Sequence, residues 1–360
     1  MATIYGDTAG RLVARAKAQT LTGVDGENNY LYGDAYEIKN MRGGNDVLTG
    51  GTLSQFNFLH GDASNLSESQ GGNDLLIGGD FSLYNVLYGD AVAMSDSQGG
   101  NDVANGGNNT DVNLLYGDAL LMFDSAGGND TLTGGANSGV QKNILYGDGF
   151  QIYNSQGGND ALIGGISSGS NLLYGDAYTM NGSRGGNDVL TGDANSYSNE
   201  LFGDALYISA GQGGDDILIA HAAPSSGDFL TNNKIYGDAK NHVGGNVLCG
   251  NDRLISGTGN DAMWGDIAYS GYGNSPIDLT RVTTGHDVFV FSANNGNDMI
   301  HDFRQGEDKI ELLGIGVDSF DALAASHLSQ GSTNSIITFG SNMITVIGVT
   351  ELTAADFLFS

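Results

Sequence analysis

The chain has 360 residues, with 42 acids against 13 bases, a formal net charge of −29, 59 glycines, two prolines and a single cysteine, Cys249. That charge excludes a nucleic-acid binder, which needs the opposite sign, and an anionic membrane surface would repel the chain. One cysteine excludes an intramolecular disulfide framework, no run of about 18 apolar residues is present to span a membrane, and glycine in excess without collagen's period points to repeated tight turns. The acidity leaves two readings, solvated disorder or cation binding. Disorder is set aside because 39% of the residues are hydrophobic and fall at fixed positions.

Residues 1–28 read as a degenerate first repeat and N-terminal cap. Met1 to Gly10 has no basic region followed by an apolar core, so no Sec leader is expected. Tyr5-Gly6-Asp7 opens the chain's recurrent string, but Gln19 stands where later repeats carry Asp. Arg11, Arg15 and Lys17 punctuate an Ala-rich stretch that reads as a short helix covering the first open edge.

From residue 29 to 284 the chain keeps a beat of about 28 residues. Tyr-Gly-Asp or a close variant recurs with its Asp at Asp34, Asp62, Asp90, Asp118, Asp148, Asp176 and Asp204, and again at Asp238 and Asp266. Gly-Gly-Asn-Asp recurs with its last residue at Asp46, Asp74, Asp102, Asp130, Asp160 and Asp188, and Gly213-Gly214-Asp215-Asp216 continues it. In seven repeats the second Asp follows the first by 12 residues, while insertions change only the distance between repeats. The Asp pair is therefore held fixed and the opposite loops vary.

Each repeat reads as three short strands: Asn29 to Tyr32, Ala35 to Ile38, and Val47 to Thr49. Alternation puts Leu31 and Leu48 on one face, followed by Leu59 and Leu76, Leu87 and Ala104, Leu115 and Leu132, and Leu145 and Leu162. One repeat cannot bury these residues alone. Nine or ten rungs stacked ~4.8 Å apart would, as a rod roughly 40–50 Å long. The expected fold is thus all-β: a parallel β-roll or right-handed β-helix solenoid with rungs of about 28 residues, capped at both ends.

The Gly-Gly-Asn-Asp turns are where chemistry is expected. Glycine would supply positive φ and expose carbonyls, and Asp a carboxylate for a hard cation. Asp by itself favours turns, but an unchanging offset through seven repeats points to a ligand role. An opposite column carries Asn29, Asn57, Asn85, Asn113, Asn143, Asn171, Asn199 and Asn233, with Asp only at Asp261, and reads as an amide ladder needing no metal. A third column is aromatic: Tyr5, Tyr32, His60, Tyr88, Tyr116, Tyr146, Tyr174, Phe202, Tyr236 and Trp264. These residues follow inward leucines, so they are expected outside or at the corner, either as a stacking ladder or as a platform for sugar rings. No catalytic constellation is expected, and His60, His221, His242, His286, His301 and His327 show no metal-ligand spacing.

Gly44-Asn45-Asp46-Val47-Leu48 resembles the second half of the RTX (haemolysin-type) nonapeptide, and Gly250-Asn251-Asp252 with Gly259-Asn260-Asp261 matches it best, with Asp252 and Asp261 nine residues apart. The resemblance implies Ca²⁺, about six to nine ions, on Asp46, Asp74, Asp102, Asp130, Asp160, Asp188, Asp216, Asp252 and Asp261. It extends to the preceding-string Asp34, Asp62, Asp90, Asp118, Asp148, Asp176 and Asp204, and to the turn glycines Gly44, Gly72, Gly100, Gly128, Gly158, Gly186 and Gly214. An RTX turn-pair takes about 18 residues, so Tyr36 to Arg42 reads as an inserted strand.

After residue 284 the beat stops. Residues 285–360 resemble the C-terminal region of RTX exoproteins of the serralysin type, and the ending Asp356-Phe357-Leu358-Phe359-Ser360 resembles a type I secretion signal. The resemblance implies a bacterial protein that leaves through a type I exporter and resides outside the cell or on its surface, with no transmembrane segment and no nucleic-acid partner. The expected role is a non-catalytic structural or adhesive one, with folding on Ca²⁺ after export. The alternative is a polysaccharide-acting enzyme (uronate epimerase or lyase), or a module binding extracellular polysaccharide.

Overall fold

The computed structural model of the protein describes residues 1–136, 142–193, 196–220, 232–272 and 275–360. Each rung contributes three strands, and each strand pairs in parallel with its counterpart in the next rung, building about nine turns of a β-solenoid. The first sheet begins at Ala2–Tyr5 and passes through Asn29–Tyr32 and Phe56–His60. The second begins at Thr8–Arg11 and passes through Ala35–Lys39, and the third begins at Thr20–Thr22 and passes through Val47–Thr49.

Register is in phase throughout. Asn85, Leu87 and Tyr88 pair with Asn57, Leu59 and His60 on one side, and with Asn113, Leu115 and Tyr116 on the other. Like therefore stacks on like, and the period-two alternation of each strand becomes a column. Leu31, Leu48, Leu59, Leu76 and their successors are fully buried in one continuous core. Behind the second sheet, Ala35, Ile38, Leu66, Met94, Met122 and Ile152 form another.

The strand expected from Tyr36 to Arg42 is shorter. It ends at Lys39, and the next residue turns the chain into the left-handed region: Asn40 at φ 55°, Asp96 and Asp124 at 50°, Asn154 at 49°. Asn and Asp tolerate this conformation best after glycine. Beyond it, Arg42, Gln70, Gln98 and Ala126 resume pairing only as single bridges.

The helix expected between Arg11 and Lys17 does not form, and the chain there is irregular after Thr8–Arg11. The solenoid edge competes for this backbone. The Leu12 N–H donates to the Glu37 carbonyl at 2.8 Å and the Lys17 N–H to Asp7 Oδ2 at 3.1 Å. Leu12 and Ala16 are buried in the second core. A helix of two turns has too few internal bonds to outweigh those contacts.

Parallel stacking runs on past residue 284. Val288–Ser292 and Lys309–Leu313 extend the third sheet, which ends at Phe357–Phe359. The first sheet takes on Asn297–Ile300 and then an antiparallel pair, Asn334–Phe339 with Asn342–Ile347. Phe320–Ser326 is the sole α-helix among the described residues. Among the described residues no helix is long and apolar enough to cross a membrane.

Candidate metal centre

Two carboxylate columns run side by side along one edge of the solenoid. In the first, the Gly44 N–H donates to Asp34 Oδ2 at 2.7 Å, Gly72 to Asp62 at 2.8 Å, Gly158 to Asp148 at 2.9 Å, and Gly186 and Gly214 to Asp176 and Asp204 at 2.8 Å. Gly100 and Gly128 split their N–H between both oxygens of Asp90 and Asp118. In the second column each carboxylate accepts the backbone N–H of its counterpart one rung earlier. Asp46 donates to Asp74 Oδ1 at 2.6 Å, and the chain continues through Asp102, Asp130, Asp160, Asp188 and Asp216 to Asp252.

In nearly every one of these carboxylates one oxygen is thereby satisfied and the other is not; Asp90 and Asp118 share one N–H between both oxygens. Oδ2 of Asp46, Asp74, Asp102, Asp130, Asp160, Asp188, Asp216 and Asp252 is buried with no hydrogen-bond partner among the described residues, as are Oδ1 of Asp34 and Asp62 and Oδ2 of Asp148, Asp176 and Asp204. A buried acceptor left unmade is costly, and a buried anion more so. Burial, reinforced by neighbouring carboxylates, lifts the Asp46 carboxyl to about 7, and burial lifts Asp34, Asp90 and Asp148 to about 6. The same causes push Asp102, Asp118, Asp160 and Asp176 well above the ordinary range.

Carboxylates of the two columns converge. Carboxylate oxygens of Asp34, Asp46 and Asp62 lie within 4.8 Å of one another, as do those of Asp62, Asp74 and Asp90, so Asp62 belongs to two groups. The donor set is all oxygen, buried and anionic, which fits a hard divalent cation. Mg²⁺ demands a near-ideal octahedron and keeps its waters, whereas Ca²⁺ accepts crowded and irregular oxygen shells.

The glycines act differently from expectation. None of the Gly-Gly-Asn-Asp glycines has a positive φ. What they supply is close approach: a Cβ on Gly72, Gly100 or Gly128 would lie 1.5, 1.4 or 1.3 Å from the carbonyl oxygen of the preceding rung's glycine. Any side chain there would pry the rungs apart.

Asp252 takes its place in the row, but Asp261 does not. It sits at the end of the asparagine column, where its oxygens accept from Asn233 Nδ2 at 2.7 Å, the Gly257 N–H at 2.9 Å and Ser256 Oγ at 3.0 Å. Spacing of nine residues brought it into the ligand set; register places it with the amides. Conversely, the columns include residues left out of the expected ligand set. Asp238 and Asp287 each carry an orphaned buried oxygen, Asp252 donates to Asp287 at 2.9 Å, and Asp287 donates to Asp308 at 3.0 Å. Tyr236-Gly237-Asp238 and Trp264-Gly265-Asp266 already carried the string; Gly285-His286-Asp287 hid behind a changed beat.

The asparagine ladder is continuous: Asn29 Nδ2 donates to Asn57 Oδ1 at 2.8 Å, Asn57 to Asn85 at 2.9 Å, and so on through Asn113, Asn143, Asn171 and Asn199 to Asn233. The aromatic column stacks with ring centroids 4.5–5.0 Å apart from Tyr5 to Trp264, then adds His301 at 4.2 Å. It lies outside the first sheet yet is buried from His60 to Trp264, packed against Val92, Leu120 and Phe150 of the second. Both faces of an internal ring are covered by its neighbours, so this column offers no platform for sugars. His60, enclosed in the stack, is held neutral by burial with its pKa lowered to about 3. Of the other histidines, His221 lies outside the described residues.

Stacked rungs with two inward carboxylate columns at one corner define a parallel β-roll. The chain belongs to the serralysin C-terminal family: residues 37–341 match the family described as Peptidase M10 serralysin C terminal. No curated protein matches the chain. Among solved structures, extracellular lipase LipA from Serratia marcescens is similar over 66% of this chain and 40% of the lipase, at 15% identity and a TM-score of 0.21.

Proposed function

We propose that the chain is a secreted calcium-binding β-solenoid that folds on Ca²⁺ after export and serves a non-catalytic structural or adhesive role outside the cell. The observation that carries this reading is the row of buried carboxylate oxygens without partners. Asp34, Asp46 and Asp62, then Asp62, Asp74 and Asp90, and the successive Asp residues up the edge would hold the ions, with carbonyls of Gly44, Gly72 and the equivalent glycines beside them. When bound, Ca²⁺ supplies positive charge shared between adjacent rungs. The protein's own part is to fix one oxygen of each carboxylate with a backbone N–H, aim the other inward, and keep side chains out by using glycine.

Calcium would then be part of folding. Extracellular calcium modules bind with Kd of about 10⁻⁴–10⁻³ M. At ~10⁻⁴ M and ~1 mM Ca²⁺ each site contributes roughly 1.4 kcal/mol, and seven sites about 10 kcal/mol, comparable to a whole domain's stability. At sub-micromolar cytosolic calcium that contribution vanishes, which suits a chain that leaves unfolded through a type I exporter, as the serralysin-type C-terminal region suggests. Circular dichroism during a Ca²⁺ titration tests the reading. Little strand signal in chelator and a cooperative gain toward millimolar Ca²⁺ are expected; full strand content in excess chelator would overturn it.

A further inference from the structure

Seven successive turns, from Gly43 to Gly213, open with glycine, and a Cβ added at any of these positions would lie 1.6–1.9 Å from a carboxylate oxygen of the next rung. In the next rung the same position is Cys249, followed by Gly250-Asn251-Asp252. Its sulfur and carboxylate oxygens of Asp238 and Asp266 lie within 4.8 Å of one another. Asp238 is fully buried, its Oδ1 accepts the Gly250 N–H at 2.8 Å, and its Oδ2 has no hydrogen-bond partner among the described residues. Asp266 is tied to the Gly285 N–H at 2.7 Å and to Arg304 Nε at 3.3 Å. Cys249 itself is partly buried, and burial with the neighbouring Asp238 and Asp266 pushes its free thiol up.

We propose that Asp238, Cys249 and Asp266 form a mixed sulfur–oxygen site for a thiophilic divalent cation of the Zn²⁺ class, chemically distinct from the all-oxygen groups that precede it. Soft thiolate ligands select Zn²⁺-like ions over Ca²⁺, and three protein ligands with one open position is a common zinc arrangement. A thiolate, an unpartnered carboxylate and a second carboxylate shared with Arg304 leave enough negative charge for one divalent ion. The thiol gives up its proton on binding, as cysteine does on metalation. The site does not depend on the calcium reading, because its thiolate has no counterpart in the turns of the seven earlier rungs.

The test uses the full chain in saturating Ca²⁺, with Cd²⁺ as the spectroscopic probe and bound Ca²⁺ counted in the same samples. A thiolate-to-cadmium charge-transfer band saturating at about one equivalent is expected, with Zn²⁺ competing it away and shielding the thiol from a disulfide reagent. Cys249→Ser should lose the band while keeping its strand signal, and Cys249→Gly provides a second variant that restores the residue of the other turns. Absence of the band, thiol reactivity unchanged by Zn²⁺, or a cadmium equivalent that survives in both variants would overturn the proposal. A band without bound Ca²⁺ would sink the calcium reading and leave this one standing.

Discussion

The two polar columns of this solenoid are built by one geometric rule and end in opposite states. Asn57, Asn85 and Asn113 stack in register, as do Asp74, Asp102 and Asp130, each one rung from the next. An amide carries donors and an acceptor, so each Asn gives to one neighbour and receives from the other, and the column closes on itself. A carboxylate only accepts. Its first oxygen takes a backbone N–H, and the second is left facing other carboxylates. The lesson is that repetition alone satisfies a self-complementary group, whereas repetition of a charge creates a demand that a cation must meet.

The largest test of this contrast is removal of the cation. With chelator the carboxylate edge should open and take the strand signal with it, a loss on the scale of about 10 kcal/mol for seven sites, read by circular dichroism. Protons offer a second way to relieve the same edge. Folded-state pKa values of about 6 for Asp34, Asp90 and Asp148 and about 7 for Asp46 stand above the unfolded value of 3.8. Groups raised in the folded state contribute stability that is fully present below the unfolded pKa and lost as pH rises through the folded one. The chelated chain should therefore gain strand content when acidified from about pH 8 to about pH 5, whereas the Ca²⁺ affinity of the loaded chain should fall over the same window. An acid titration with and without chelator checks both signs.

Exchanging the two chemistries at a single rung sharpens the comparison. Asn113→Asp places an unpaired charge inside the closed ladder and should cost about 3–5 kcal/mol in urea unfolding, with no rescue by added Ca²⁺. Asp130→Asn does the reverse: it should lower the bound Ca²⁺ count by dialysis and cost about 1–3 kcal/mol in saturating Ca²⁺. Tyr116→Leu keeps apolar volume but breaks the ring stack. It should cost about 0.5–1.5 kcal/mol in urea unfolding beyond the apolar burial lost, because Tyr116 is stacked between Tyr88 and Tyr146 inside a buried cluster.

Much of the fold was legible because a period-two strand repeated in phase leaves few choices. Asn29, Leu31 and Leu48 announced their columns, and the constant offset of Asp34 and Asp46 announced the shared edge. What stayed hidden depended on three-dimensional register. Asp261 matches the RTX spacing but stacks with amides, and Asp287 joins the row although the beat around it has changed. The stretch from Leu12 to Lys17 has helical composition but lies against an open sheet edge that claims its N–H groups. The aromatic column was readable as a ladder, but its burial was not, since the residues covering it belong to the second strand of each rung.

The central claim is that the unpartnered oxygens of the carboxylate row are cation ligands. A crystal structure of the full chain grown in millimolar Ca²⁺, with ions located by anomalous scattering, tests it most directly. The account predicts ion density beside Oδ2 of Asp46, Asp74, Asp102, Asp130, Asp160 and Asp188, and none along Asn57, Asn85 and Asn113. A carboxylate row holding only protons or water, with its rungs still stacked, would contradict it.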